Sequence, residues 1–111
     1  METTISSRVK SLGQVLTPPT IAEFMARWAI KTPKDKILEP SCGDGVFLKA
    51  SIQELLSLGA QPDDIPHQVY GIELDRDMIE ETRRRLLSEF GVVPTLINSN
   101  FFDIQLPSLH T

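Results

Sequence analysis

Ile37-Leu38-Glu39-Pro40-Ser41-Cys42-Gly43-Asp44-Gly45-Val46-Phe47-Leu48 is a short apolar run that passes into a glycine-rich turn and then into a segment with helical spacing. Strand, turn and helix in that order set a backbone without side-chain bulk beside the unpaired N–H groups of a helix start, the construction of a nucleotide-type site. A dinucleotide fold carries a third glycine in G-x-G-x-x-G. Here that position is Leu48, so the NAD fingerprint is incomplete.

The first strand is expected over Lys36–Glu39 and a helix over Val46–Leu58, with Phe47, Leu48, Ile52, Leu55 and Leu56 as its apolar stripe and Gly59 as a left-handed cap. Residues 60–67, with Pro62, Asp63, Asp64 and Pro66, read as loop. Gln68–Glu73 is a second strand. Asp75 is placed to cap a helix carrying Met78, Ile79, Leu86, Leu87 and Phe90, which ends at Gly91, and a third strand spans Thr95–Asn98. Ahead of the glycine turn, a helix starts either with Thr17 as cap and Pro18 in its first turn, or with Thr20 and Glu23 as a capping box. Its spacing predicts that Ile21, Phe24, Met25, Trp28 and Ala29 form the buried face, with a stop before Pro33.

Strands alternating with helices specify an α/β fold of parallel strands with right-handed crossovers, half of a doubly wound sheet in the order 3-2-1. Strand 1 is left at an open edge, so residues 18–111 are expected to be part of a larger domain behind a separate segment, residues 1–17. An open edge favours self-association or pairing with a partner chain.

The 111 residues are 41% hydrophobic and contain no long apolar run, which excludes a membrane-spanning helix. The start lacks the basic and apolar parts of a signal peptide, so the expected compartment is the cytoplasm. The net charge of −4 argues against an extended basic surface for nucleic acid on this segment. Arg83-Arg84-Arg85, set among Glu80, Glu81 and Glu89, reads as a solvated helix face with ion pairs. The single cysteine, Cys42, has no second Cys or nearby His for a disulfide, a metal site or a nucleophile, and reads as a small loop filler; His67 and His110 are given no role, and no metal is expected.

Glu73 strengthens the nucleotide reading. It ends the second strand, where a carboxylate accepts hydrogen bonds from both hydroxyls of a ribose, while Asp75 already supplies the helix cap. After the third strand, Asn98-Ser99-Asn100-Phe101-Phe102-Asp103 offers polar acceptors followed by rings, the pairing an adenine needs.

These residues resemble the adenine-specific (N6) DNA methyltransferases that use S-adenosylmethionine, including those of restriction–modification systems. The likeness spans about residues 10–105 and rests on Gly13-Gln14-Val15-Leu16-Thr17-Pro18-Pro19, on Leu38-Glu39-Pro40-Ser41-Cys42-Gly43-Asp44-Gly45 and on Tyr70-Gly71-Ile72-Glu73-Leu74-Asp75. It implies a Rossmann-like S-adenosylmethionine-dependent methyltransferase fold, N-terminal half only. It further implies that Thr17 and Pro19 contact the methionine part of the cofactor, that Pro40, Ser41 and Gly45 belong to its binding loop, and that Glu39 and Gly43 lie near its amino group. Glu73 would hold the ribose and Leu74 would pack on the adenine. Where the family commonly has an acid followed by Phe, this chain has Asn100-Phe101, with Asp103 as the other acceptor.

In the family, a catalytic Asn-Pro-Pro-aromatic motif follows a fourth strand and holds a flipped adenine. That motif is not among these residues. The resemblance therefore implies a cofactor-binding portion that contacts DNA through other parts of the full-length protein and does not turn over alone. The alternatives are a protein or RNA methyltransferase, a non-catalytic module completed by a partner chain and, weakest, a dehydrogenase.

Overall fold

The structure, a computed structural model, describes residues 18–40 and 42–99. Helix α1 (Pro19–Ala29) leads to strand β1 (Ile37–Glu39) and helix α2 (Val46–Ser57). A 3-10 turn (Pro62–Asp64) and a short helix α3 (Ile65–Gln68) precede strand β2 (Val69–Glu73), helix α4 (Arg76–Phe90) and strand β3 (Thr95–Asn98). The sheet has the order β1-β2-β3, the expected 3-2-1 counted from the other edge. Both pairings are parallel, with Glu39 opposite Gly71, and Glu73 opposite Asn98. This is the N-terminal part of a Rossmann-like α/β fold.

Helix α1 starts differently from either expectation within the described residues. Pro18 takes the cap position and Pro19 the first helical one, where a missing N–H is no loss, and no side chain caps the end. The Thr20–Glu23 capping box is therefore not formed; Thr17 lies outside the described residues.

The buried face of α1 also needs correction. Ala22, Ala26 and the following Ile30 are buried, whereas Ile21, Phe24 and Trp28 are 49, 61 and 58% exposed. Helix α1 lies closely on α2, and small residues such as Ala22, Ala26 and Ala50 of α2 let the two backbones approach. An Ala26→Leu change would overpack this seam at a cost of about 1–3 kcal/mol.

Helix α2 gives the core Phe47, Leu48, Ile52 and Leu55, each contributing roughly 1.5–3 kcal/mol by burial. Gly59 and Gly91 take the left-handed conformation just past α2 and α4, as expected. Asp75 caps α4, its Oδ1 accepting from the N–H of Asp77 at 2.9 Å and of Met78 at 3.2 Å. On α4 the buried positions are Ile79, Thr82 and Leu86, while Leu87 is exposed. The 60–67 region, expected as loop, is partly helical because Pro62 and Pro66 each sit in a first turn.

At the amino end of the sheet, side chains tie the connections to backbone. Gln68 Nε2 donates to the carbonyls of Pro33 (2.8 Å) and Asp35 (3.0 Å), and Thr95 Oγ1 donates to that of Pro66 (2.6 Å). Asp35 accepts from the N–H groups of Lys31 (2.8 Å) and Thr32 (3.2 Å) and from the Thr32 hydroxyl (2.8 Å). The Lys31 N–H does most to hold its carboxyl below the usual aspartate range, and slight burial opposes this.

Candidate functional site

The carboxyl ends of β1 and β2 converge on the glycine turn. Glu39 closes β1 fully buried, Pro40 follows it, and the chain returns at Cys42, whose N–H donates to the Ile72 carbonyl of β2 at 3.0 Å. Gly45 N–H then donates to the Cys42 carbonyl at 2.9 Å, closing a tight turn in which Gly43 and Gly45 have φ of 51° and 81°. Those angles favour glycine. Asp44 Oδ1 accepts from Val46 N–H at 3.2 Å and so steadies the start of α2.

Glu73 is the centre of the arrangement. Its Oε1 accepts from Gly43 N–H at 2.8 Å and its Oε2 from Asp75 N–H at 3.2 Å, so one carboxylate joins the glycine turn to the start of α4. Its backbone carbonyl accepts from Ser99 N–H (3.1 Å) and from Asn98 Nδ2 (3.0 Å). Asn98 Nδ2 also donates to the Leu74 carbonyl at 2.8 Å, which fixes the connection after β2 to the end of β3. Leu74 beside it is 69% exposed, an apolar surface at the rim of the carboxyl edge.

Helix α4 holds the same turn from the other side. Thr82 Oγ1 donates to the Gly43 carbonyl at 3.3 Å and Arg85 Nη2 to the Asp44 carbonyl at 2.7 Å. Next to these contacts a groove of about 190 Å³ runs between the helices, lined by Pro19 and Glu23 of α1, Lys49 of α2, and Arg85 and Glu89 of α4, with Gly45 at its wall. Lys49 and Glu89 form an ion pair across it at 3.3 Å.

Of the residues singled out from the sequence, Glu39, Pro40, Gly43, Gly45, Glu73 and Leu74 gather along the carboxyl edge, and Pro19 lines the groove that Gly45 also borders. Thr17, Ser41, Asn100, Phe101 and Asp103 lie outside the described residues. Sequence reasoning did not single out Thr82, Arg85 or the bonds made by Asn98. Thr82 had a visible signal, since it falls on the Ile79–Leu86 stripe that points inward. The arginine run is in part the expected solvated face, with Arg83 near Glu80 at 3.7 Å, but Arg85 is drawn to the glycine turn. Among the described residues no group of His, Cys, Asp and Glu is arranged to hold a metal ion, and no helix is long and apolar enough to cross a membrane.

Parallel strands, a glycine turn after the first and an acid closing the second define part of a Rossmann-like α/β domain. The N-6 DNA methylase family profile matches residues 1–86, and the chain belongs to that family. Among curated relatives it is 35% identical over 93 residues to the type II restriction enzyme and methyltransferase RM.BcgI of Heyndrickxia coagulans, covering 80% of this chain and 15% of the relative. It is 46% identical over 41 residues to the type II methyltransferase M.TthHB8I of Thermus thermophilus, covering 37% of this chain and 10% of the relative. It is 47% identical over 47 residues to M.HincII of Haemophilus influenzae, covering 42% and 9% respectively. The chain thus spans 15% or less of the length of these relatives. No solved structure matches it.

Proposed function

We propose that this chain is the S-adenosylmethionine-binding part of a site-specific adenine-N6 DNA methyltransferase. The observation that carries the proposal is the 2.8 Å bond from Gly43 N–H to Glu73, which puts the acid of the second strand and the glycine turn of the first into one site. The residues fit the cofactor. Each Glu73 oxygen uses one lone pair on a backbone N–H and retains another for a ribose hydroxyl, Leu74 offers an apolar surface at the rim, and Gly43 and Gly45 let the turn take its positive φ angles. Once bound, the cofactor supplies an electrophilic sulfonium methyl group for an amine nucleophile. The described residues bind and orient; the group for the target base and the DNA contacts we assign to other parts of the full-length protein.

Calorimetric titration of the purified chain with S-adenosylmethionine, and separately with NAD, tests this. Binding of the first alone is expected. Preferential binding of NAD, or methyl transfer to DNA by this chain on its own, would overturn the respective half of the proposal.

One observation favours a second reading, a module that needs further polypeptide or a partner chain to complete its sheet. Among the described residues β1 is an edge strand, and the helix that precedes it exposes Ile21, Phe24 and Trp28. Sedimentation of a stable, soluble monomer would count against a partner chain.

A further inference from the structure

We propose that Thr82 and Arg85 of α4 are positioning residues that set cofactor affinity by fixing the orientation of the two peptide planes inside the glycine turn. The inference rests on the S-adenosylmethionine-binding reading above but concerns residues outside the three segments that carry the likeness. In a planar trans peptide the carbonyl and the N–H point in opposite directions, so holding one aims the other. Thr82 Oγ1 holds the Gly43 carbonyl at 3.3 Å, which turns the N–H of Asp44 away from α4. Arg85 Nη2 holds the Asp44 carbonyl at 2.7 Å, which turns the N–H of Gly45 inward to its 2.9 Å bond with the Cys42 carbonyl. Glu73 meanwhile fixes the N–H of Gly43 from the opposite side at 2.8 Å.

These grips matter because a turn of glycines has no intrinsic preference for one orientation. Gly43 and Gly45 sit at positive φ, where many alternatives are open to a residue without a Cβ, and the entropy of choosing among them opposes ligand binding unless the fold has already chosen. Thr82 is buried, and its methyl lies 2.7 Å from where a Cβ on Gly45 would be, so α4 also bounds the turn sterically. Asp44 N–H, with no protein acceptor among the described residues, is the donor that the Thr82 grip leaves available to an anionic group such as the cofactor carboxylate.

The test separates hydrogen bonding from packing by comparing Thr82→Val, which keeps the volume and loses the donor, with Thr82→Ser, which keeps the donor and loses the methyl. Arg85→Ala and Arg85→Lys form a second pair at a surface position that does not threaten folding. S-adenosylmethionine affinity is measured by calorimetry, and exchange of the Gly43 and Gly45 amides by NMR on the ligand-free chain. Thr82→Val is expected to weaken binding about tenfold and Arg85→Ala severalfold, with the serine and lysine variants recovering most of the loss, and amide exchange should accelerate in the same order. A purely structural role predicts the reverse order for Thr82, with serine worse than valine. Wild-type affinity and exchange in both Thr82→Val and Arg85→Ala would overturn the proposal. If the unmodified chain fails to bind S-adenosylmethionine, the functional reading fails, and the exchange rates alone decide whether α4 holds the turn.

Discussion

Leu48 and Gly71 exchange the sizes that a dinucleotide-binding fold assigns to helix and strand. Where the third glycine of that fold lets helix and strand approach, this chain has a buried leucine on the helix and removes the side chain from the strand instead: Leu48 Cδ1 lies 2.9 Å from where a Cβ on Gly71 would stand. Leu96 Cδ2 at 3.1 Å and Cys42 Cβ at 3.2 Å close the same space. Close packing is kept while the fingerprint is lost. Gly71→Ala should destabilise the fold by about 1–3 kcal/mol in urea unfolding. Combining it with Leu48→Val should cost less than the sum of the two single changes, by about 0.5–2 kcal/mol, because both act on one contact. Strict additivity would show that the two residues do not share it.

Gly45→Ala would suffer twice, from a φ of +81° and from a methyl 2.7 Å from Thr82 Cγ2. Its expected cost is about 2–4 kcal/mol, summing a left-handed penalty and a local clash. Thr82→Ser removes the offending methyl, so in the Gly45→Ala background it should raise the melting temperature, whereas alone it should lower it.

Glu73→Gln leaves one side-chain oxygen for two backbone donors, Gly43 N–H and Asp75 N–H. One N–H loses its acceptor, and the new amide presents a donor to a donor. A stability loss of about 1–2 kcal/mol is expected, with loss of S-adenosylmethionine binding well beyond what that instability explains. Calorimetry at a temperature where the variant is fully folded separates the two effects.

Asp35 gives a pH prediction with a defined sign. Its native carboxyl is held below the ordinary value of 3.8, chiefly by the Lys31 N–H, so folding favours the ionised form. The stabilisation is complete above the unfolded value and is lost as pH falls through the lowered native one. The difference in unfolding free energy between the unmodified chain and Asp35→Asn, about 1 kcal/mol at neutral pH, should therefore shrink as the pH is lowered below about 4. A difference that grew on acidification would contradict the assignment.

Trp28→Lys and Phe24→Lys fall on the exposed side of α1, where the side chains are 58 and 61% exposed. Each should change stability by no more than about 0.5 kcal/mol, in contrast to Ala26→Leu on the buried side. If either lysine variant instead unfolds the chain, these side chains face the core rather than solvent.

Much of this fold is legible in the sequence because it is written in local chemistry. Asp75, Gly59 and Gly91 mark helix ends through bonds and angles that involve only near neighbours, and they fall where the pattern puts them. Glu73 is legible by its place at a strand end. The buried face of α1 is not, because its large residues and its alanines both recur at helical spacing, and only the partner helix decides that a close approach wants Ala22 and Ala26 inward. Thr82 and Arg85 are hidden for a related reason. Each acts on a backbone carbonyl about 40 positions earlier in the chain, a relation that exists only after both crossovers have brought α4 beside the turn.

The side-chain bonds of Gln68 and Thr95 sit at the amino end of the sheet, and those of Glu73, Asn98 and Thr82 at the carboxyl end. The amino end thus contributes to stability from a place remote from the proposed cofactor site. Substitutions at Gln68 or Thr95 can be used to tune how firmly the chain holds together while leaving the bonds of the carboxyl edge alone, which makes this end of the molecule the place to engineer robustness without disturbing the proposed site.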